Sequence, residues 1–192
     1  PGIVQPTFAV LTAGSGDPDV QEILDVIPDD HYNFVVFPWT DSANLNAIRT
    51  EAEERNGPTK QVEMMGVTSN ADTVGNQTTL GESRNDRFLT IMDVTGPDMP
   101  LRWSAAYTAR MVQSAQLDPA RPFQTLSLPG IGAPEKGEER VFEERNMLLF
   151  DGIATHKVDS GGVVRPQRQC RDPVRFPVQA ACTRDARQVS HR

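Results

Sequence analysis

Apolar positions along this 192-residue chain gather into four short runs, separated by stretches with helical spacing. The runs are 7–12 (TFAVLT), 33–37 (NFVVF), 61–68 (QVEMMGVT) and 87–94 (RFLTIMDV). Their starts lie about 26 residues apart, the length of one strand-plus-helix unit. The first, second and fourth are nearly unbroken in apolar residues, as parallel strands covered on both faces are.

Helices are expected in the gaps. Val20, Ile23, Leu24 and Ile27 recur on one helical face. Asp17 is placed to cap that helix, and Pro18 suits its first turn. A second helix is predicted over 41–56, with Asp41 as cap, Leu45, Ile48 and Ala52 as its stripe, and Gly57-Pro58 as its stop. Residues 70–83 make a weaker helix, carrying two Gly and several β-branched residues. Residues 100–117 make a good one, with Leu101, Ala105, Thr108, Val112 and Ala115 along one face and Asp118-Pro119 ending it.

After Pro119 the pattern changes. Residues 119–137 are rich in Pro and Gly and read as a long connecting loop. Residues 138–151 return to helix, with Val141, Phe142, Leu148 and Leu149 expected on the buried side. Residues 154–158 and 163–165 then flank Asp159-Ser160-Gly161-Gly162, a hairpin signature because glycine accepts positive φ. The fold class that follows is α/β: a mainly parallel sheet with helices on both faces, followed by a helix and a β-hairpin. Three segments are expected. Residues 1–118 form the α/β core, and 119–165 complete or extend it. Residues 166–192 form an Arg-rich tail without a structural period, expected to be disordered.

Composition narrows the class. Apolar residues are 38% and charged residues 23%, as in a water-soluble globular chain. No run approaches the roughly 18 apolar residues that a membrane span needs. No signal peptide is visible, but the chain opens on Pro1 without a Met, as a cut or processed product does. The net charge of −7 argues against a nucleic-acid binder, which gains from clustered Lys and Arg. That charge is uneven: residues 165–192 hold seven Arg against two Asp, while the rest carries 12 basic and 24 acidic groups. The only cysteines, Cys170 and Cys182, sit in that tail, so a disulfide framework is excluded for the body. With His191 they still fall short of a four-ligand zinc site. A body free of Cys fits a reducing compartment.

The search for chemistry returns no catalytic, cofactor-binding or metal residue. Thr12-Ala13-Gly14-Ser15-Gly16-Asp17 lies where a dinucleotide fingerprint would, but the third glycine is missing and Asp19 would repel a pyrophosphate. A tight strand-to-helix turn is the simpler reading. No GxSxG elbow occurs, and Ser104, inside a helix, reads as a packing residue. His31 and His156 are scattered and read as solvated surface residues. Glu51, Glu53 and Glu54, with Glu138, Glu139, Glu143 and Glu144, read as solvated helix faces. No aromatic platform with basic interleaving suggests a single-strand-binding surface.

The later motifs point elsewhere. Asp118-Pro119-Ala120-Arg121-Pro122 comes first, then Leu126-Ser127-Leu128-Pro129-Gly130. Glu144-Arg145-Asn146-Met147-Leu148-Leu149-Phe150-Asp151-Gly152-Ile153 and Val158-Asp159-Ser160-Gly161-Gly162 follow. Together they resemble the contractile tail sheath proteins of Mu-like phages. Gly14-Ser15-Gly16-Asp17-Pro18-Asp19, Phe37-Pro38-Trp39-Thr40-Asp41, Asn44-Leu45 and Arg55-Asn56-Gly57-Pro58 fit the same family. The likeness runs in order from about residue 5 to about residue 165, no single motif being specific.

The resemblance implies a fragment of a structural subunit, not an enzyme, needing no cofactor. It implies helical assembly with neighbouring sheath subunits around a tail tube protein, between a baseplate and a tail terminator. Contact with nucleic acid and membrane insertion are not implied. Terminal arms in such proteins add strands to neighbours. The place implied is the virion tail, after assembly in the bacterial host cytoplasm, and the fragment alone is expected to be monomeric. An open helical array needs two different complementary patches, for which the acidic body and the apolar residues of 126–131 are candidates.

Two alternatives stay open. One is a small-molecule hydrolase on a doubly wound sheet, with its site at the strand ends near 12–16, 38–41 and 93–96. The other is a ligand-binding or host-interaction module.

Overall fold

A three-stranded parallel sheet organises the chain, in a computed structural model that describes residues 17–27, 30–84, 86–118, 123 and 126–167. The predicted first run at 7–12, the turn at 12–16 and the tail with Cys170, Cys182 and His191 lie outside the described residues. Strands β1 (Phe34–Val36), β2 (Met65–Asn70) and β3 (Leu89–Asp93) stand side by side in chain order. Val36 sits opposite Val67, and Val67 opposite Thr90. Every residue of β3 is buried, as its continuous apolar pattern requires.

The four helices α1 (Gln21–Leu24), α2 (Ser42–Arg55), α3 (Val74–Glu82) and α4 (Pro100–Leu117) fall in the predicted gaps. The sheet is covered on both faces. On one, Val67 and Met92 pack against Trp103, Tyr107 and Met111 of α4. On the other, Leu89 and Ile91 meet Leu45 and Ile48 of α2 and Leu148 of α5 (Phe142–Phe150). The hairpin follows as β4 (His156–Val158) and β5 (Val164–Pro166), antiparallel. Gly162 alone in its turn takes positive φ, at +73°. The hairpin is sewn to the sheet just before β4, where Ala154 forms a parallel bridge with Met92 at the outer edge of β3.

Several local expectations are corrected. Asp17 does not cap α1; the Asp19 carboxylate accepts from Gln21 N–H at 2.9 Å instead. That helix is a single turn burying Val20 and Leu24, with Ile23 exposed. In α4 the buried face is Trp103, Ser104, Tyr107, Thr108, Met111 and Ser114; of the predicted stripe Thr108 is buried and Val112 and Ala115 are half-buried, whereas Leu101 and Ala105 face water. The bulky Trp, Tyr and Met side chains bury more apolar area than alanines, and they decide which way the helix turns. In α5 only Leu148 is fully buried, while Val141 and Phe142 are exposed. Leu126, Leu128 and Ile131 are buried, so that segment supplies core and not a surface patch.

Candidate functional site

The ends of β2 and β3 are where a doubly wound enzyme would assemble its chemistry. Here they hold a buried polar cluster. The carboxylate of Asp93, the last residue of β3, is fully buried. Arg140, from the loop leading into α5, grips it in a fork: Nε donates to Oδ2 and Nη2 to Oδ1, each at 3.0 Å. The same Nη2 donates to the Asp72 carbonyl at 2.5 Å. Gln77 of α3 adds a bond from Nε2 to Asp93 Oδ1 at 3.2 Å, and another to the Asn70 carbonyl at 2.7 Å. The hydrogen bond to Asp93 pushes the Arg140 guanidinium up, against the effect of its partial burial.

His156 stands directly beneath. It was expected on the surface, but it is buried, with its ring centroid 4.5 Å from that of Trp103. Its Nδ1 lies 3.2 Å from the Asp93 carbonyl oxygen, and its Nε2 lies 3.0 Å from Thr95 Oγ1. A carbonyl only accepts, so the proton belongs on Nδ1 and Nε2 accepts from the Thr95 hydroxyl. Burial pushes this imidazole below its usual range, against the Asp93 carboxylate, which raises it. Both nitrogens and both carboxylate oxygens are thus engaged within the fold. The arrangement is suited to hold the sheet end, α3 and the hairpin together.

The segment 38–41 is also structural. The Trp39 carbonyl accepts from Thr68 Oγ1 at 3.3 Å, and Asp41 caps α2 by accepting from Asn44 N–H at 2.9 Å. Asn44 then reaches back: its Oδ1 accepts from Val20 N–H at 2.8 Å, and its Nδ2 donates to the Pro18 carbonyl at 2.9 Å. Burial would raise the Asp41 carboxyl, but hydrogen bonds from Asn44 outweigh it and hold the group below its usual range.

The other singled-out residues do not converge. Ser104 is buried and donates to the Leu101 carbonyl at 3.0 Å, as a packing residue does. His31 is exposed. Glu53, Glu54, Glu138, Glu139 and Glu143 are exposed, whereas Glu51 pairs with the buried Arg55 at 2.6 Å. Glu144 turns back to accept from Val141 N–H at 3.0 Å. Among the described residues, no group of three or more His, Cys, Asp or Glu is placed to hold a metal ion. None of their helices is long and apolar enough to cross a membrane.

Among the described residues, large apolar side chains face outward on α5 and on α4, besides Ile23, Val26, Tyr32 and Val163 elsewhere. Phe142 and Phe150 on α5 are 69% and 62% exposed, with Met147 beside them. On α4, Leu101, Ala105 and Ala109 are exposed, with Met99 just ahead and Leu117 at its end. Of these, the sequence pattern places Leu101, Ala105 and Phe142 on buried faces, and the structure exposes all three. On α4 the signal that separates the faces is the bulkier set Trp103, Tyr107 and Met111 on the buried side; α5 has no such signal, since its larger side chains are the exposed ones.

Buried charges are thus tied up within the fold, while large apolar side chains turn outward. The chain belongs to the phage tail sheath protein central domain family, whose model matches residues 13–168. It is similar to the Mu-like prophage FluMu tail sheath protein of Haemophilus influenzae, 30% identical over 156 residues. That match covers 81% of this chain and 32% of the relative, so the chain spans about a third of that protein's length.

Proposed function

We propose that this chain is the central part of a contractile tail sheath subunit, and that its role is structural. The observation that carries the proposal is the extent of the family match: it takes in every described helix and strand, from α1 to β5. The rigid block then serves as the repeating brick of a helical array around a tail tube. Its direct partners are neighbouring subunits and the tube protein, with the baseplate and the tail terminator at the two ends of the array. Contraction moves such blocks as rigid bodies while flexible connections keep the mesh joined. The array belongs to the virion and assembles in the bacterial host cytoplasm. The Asp93 cluster supports a structural role, since both carboxylate oxygens are taken up by Arg140 and Gln77 within the fold.

Electron microscopy of the purified full-length polypeptide tests this. Hollow tubes of regular diameter are expected from the complete chain and not from residues 1–192 alone. A well-folded full-length chain that stays monomeric would overturn the reading.

A further inference from the structure

The two outward apolar surfaces lie on opposite faces of the sheet. The helix α4 packs with Val67 and Met92, whereas α5 packs through Leu148 with Leu89 and Ile91. They differ in shape and in charge. On α5 the projecting groups are Phe142, Met147 and Phe150, with Glu143 among them and Glu138 and Glu139 just ahead. On α4 the exposed positions are Leu101, Ala105 and Ala109, with Arg102, Gln113 and Gln116 exposed among them and Leu117 at the end. The only charged side chains within α4 are Arg102 and Arg110, and no carboxylate occurs in its 18 residues. Arg102 is held by Asp98 at 2.6 Å, yet 60% of its side chain is exposed. Arg110 leans inward to the Ser127 carbonyl at 2.9 Å.

Large apolar groups exposed beside charge mark an interaction site. From this we infer that the occupant of each surface is a second copy of this chain: the Phe142–Phe150 ridge of one subunit seats on the Ala105–Ala109 face of α4 in the next. Aromatic side chains need small residues opposite them to approach closely. The carboxylates flanking the ridge meet the Arg102 end of the face, where opposite charges steer the encounter and fix register. Because the two patches differ and lie on opposite faces of the sheet, the contact is head-to-tail. A head-to-tail contact repeats from one subunit to the next and builds an open helical array wherever its rotation does not close a ring. The inference rests on the sheath reading and names the surface that assembly uses.

Crosslinking in assembled tubes tests it. The full-length polypeptide, freed of native cysteines, carries Ala109→Cys and Asn146→Cys, both at exposed positions. A short bis-maleimide is expected to give a ladder of covalent dimers, trimers and longer species from the double variant. Each single variant should stay monomeric on a denaturing gel. Tubes without a ladder, or dimers from Asn146→Cys alone, would overturn the contact while leaving the sheath reading intact. Failure of the unsubstituted polypeptide to form tubes would remove both. A second variant, Phe142→Asp with Phe150→Asp, changes only exposed side chains. It should raise the concentration needed for tubes by about tenfold or more, as loss of interface aromatics does, with an unchanged unfolding midpoint. Normal tube formation by that variant would count against the ridge.

Discussion

Arg140 and Asp93 lie 47 residues apart in the chain and meet through two parallel hydrogen bonds, each 3.0 Å long. One partner ends the last strand of the sheet and the other precedes α5, so the fork fastens that helix to the strand ends. A planar guanidinium matches a carboxylate in a way that a lysine ammonium cannot.

Removing the guanidinium leaves a buried carboxylate unpaired. Arg140→Met should destabilise the domain by about 3–5 kcal/mol, measured by urea unfolding. Adding Asp93→Leu to that variant should recover most of the loss, because a buried pair replaced whole by apolar groups costs little. A single-variant loss under about 1 kcal/mol would show the fork to be dispensable, since that is the worth of an exposed pair.

The two glycines that make α3 look weak in the sequence have opposite fates. A Cβ on Gly81 would stand 2.6 Å from the Asp151 carbonyl oxygen and 2.8 Å from Asp151 Cβ. Gly81→Ala should therefore cost about 1–3 kcal/mol by overpacking. A Cβ on Gly75 meets nothing within 4 Å. Gly75→Ala should stabilise by about 0.5–1 kcal/mol through helix propensity. Thermal melts of the two variants should shift in opposite directions.

Asp41 and Asn44 pin the start of α2 to the chain before α1. Asp41→Ala should cost about 1 kcal/mol, as loss of an N-cap does. The carboxyl is held below the usual 3.8, so its contribution is present above that value. It is lost as pH falls through the lower folded value. The stability difference between wild type and Asp41→Ala should therefore shrink only at the acid end of a pH series.

His156 acts in a different window. Burial pushes its folded pKa below 6.5, so between the two values the unfolded chain binds a proton that the folded chain does not. Stability should hold above about pH 6.5 and decline as pH falls from there toward the folded value. His156→Phe keeps a ring against Trp103 but cannot titrate, so its stability curve should be flatter across that range.

Element order was legible in the sequence because strands and helices alternate with clear punctuation. The unbroken run before Asp93 and the Gly-rich turn at 159–162 each encode their structure locally. The orientation of α4 was not legible, because Leu101, Ala105 and Val112 compete with Trp103, Tyr107 and Met111 on one helix. Counting apolar positions cannot rank those faces; side-chain volume can. The Asp93–Arg140–Gln77 cluster was invisible for another reason. Its members come from three elements and have no shared spacing, so only the closed fold reveals them. His156 looked like a surface residue because its three-residue strand is too short to display alternation.

The stitch at Ala154 has a mechanical consequence. Its N–H donates to the Ile91 carbonyl and its carbonyl accepts from Asp93 N–H, both at 2.8 Å. One residue on, the Thr155 carbonyl accepts from Gln167 N–H at 2.7 Å. Tension entering through the hairpin thus passes directly into β3, and from there across the ladder to β2, without first bending a helix. A pull on this side of the domain is borne by its stiffest layer, so displacement at the hairpin becomes displacement of the whole block.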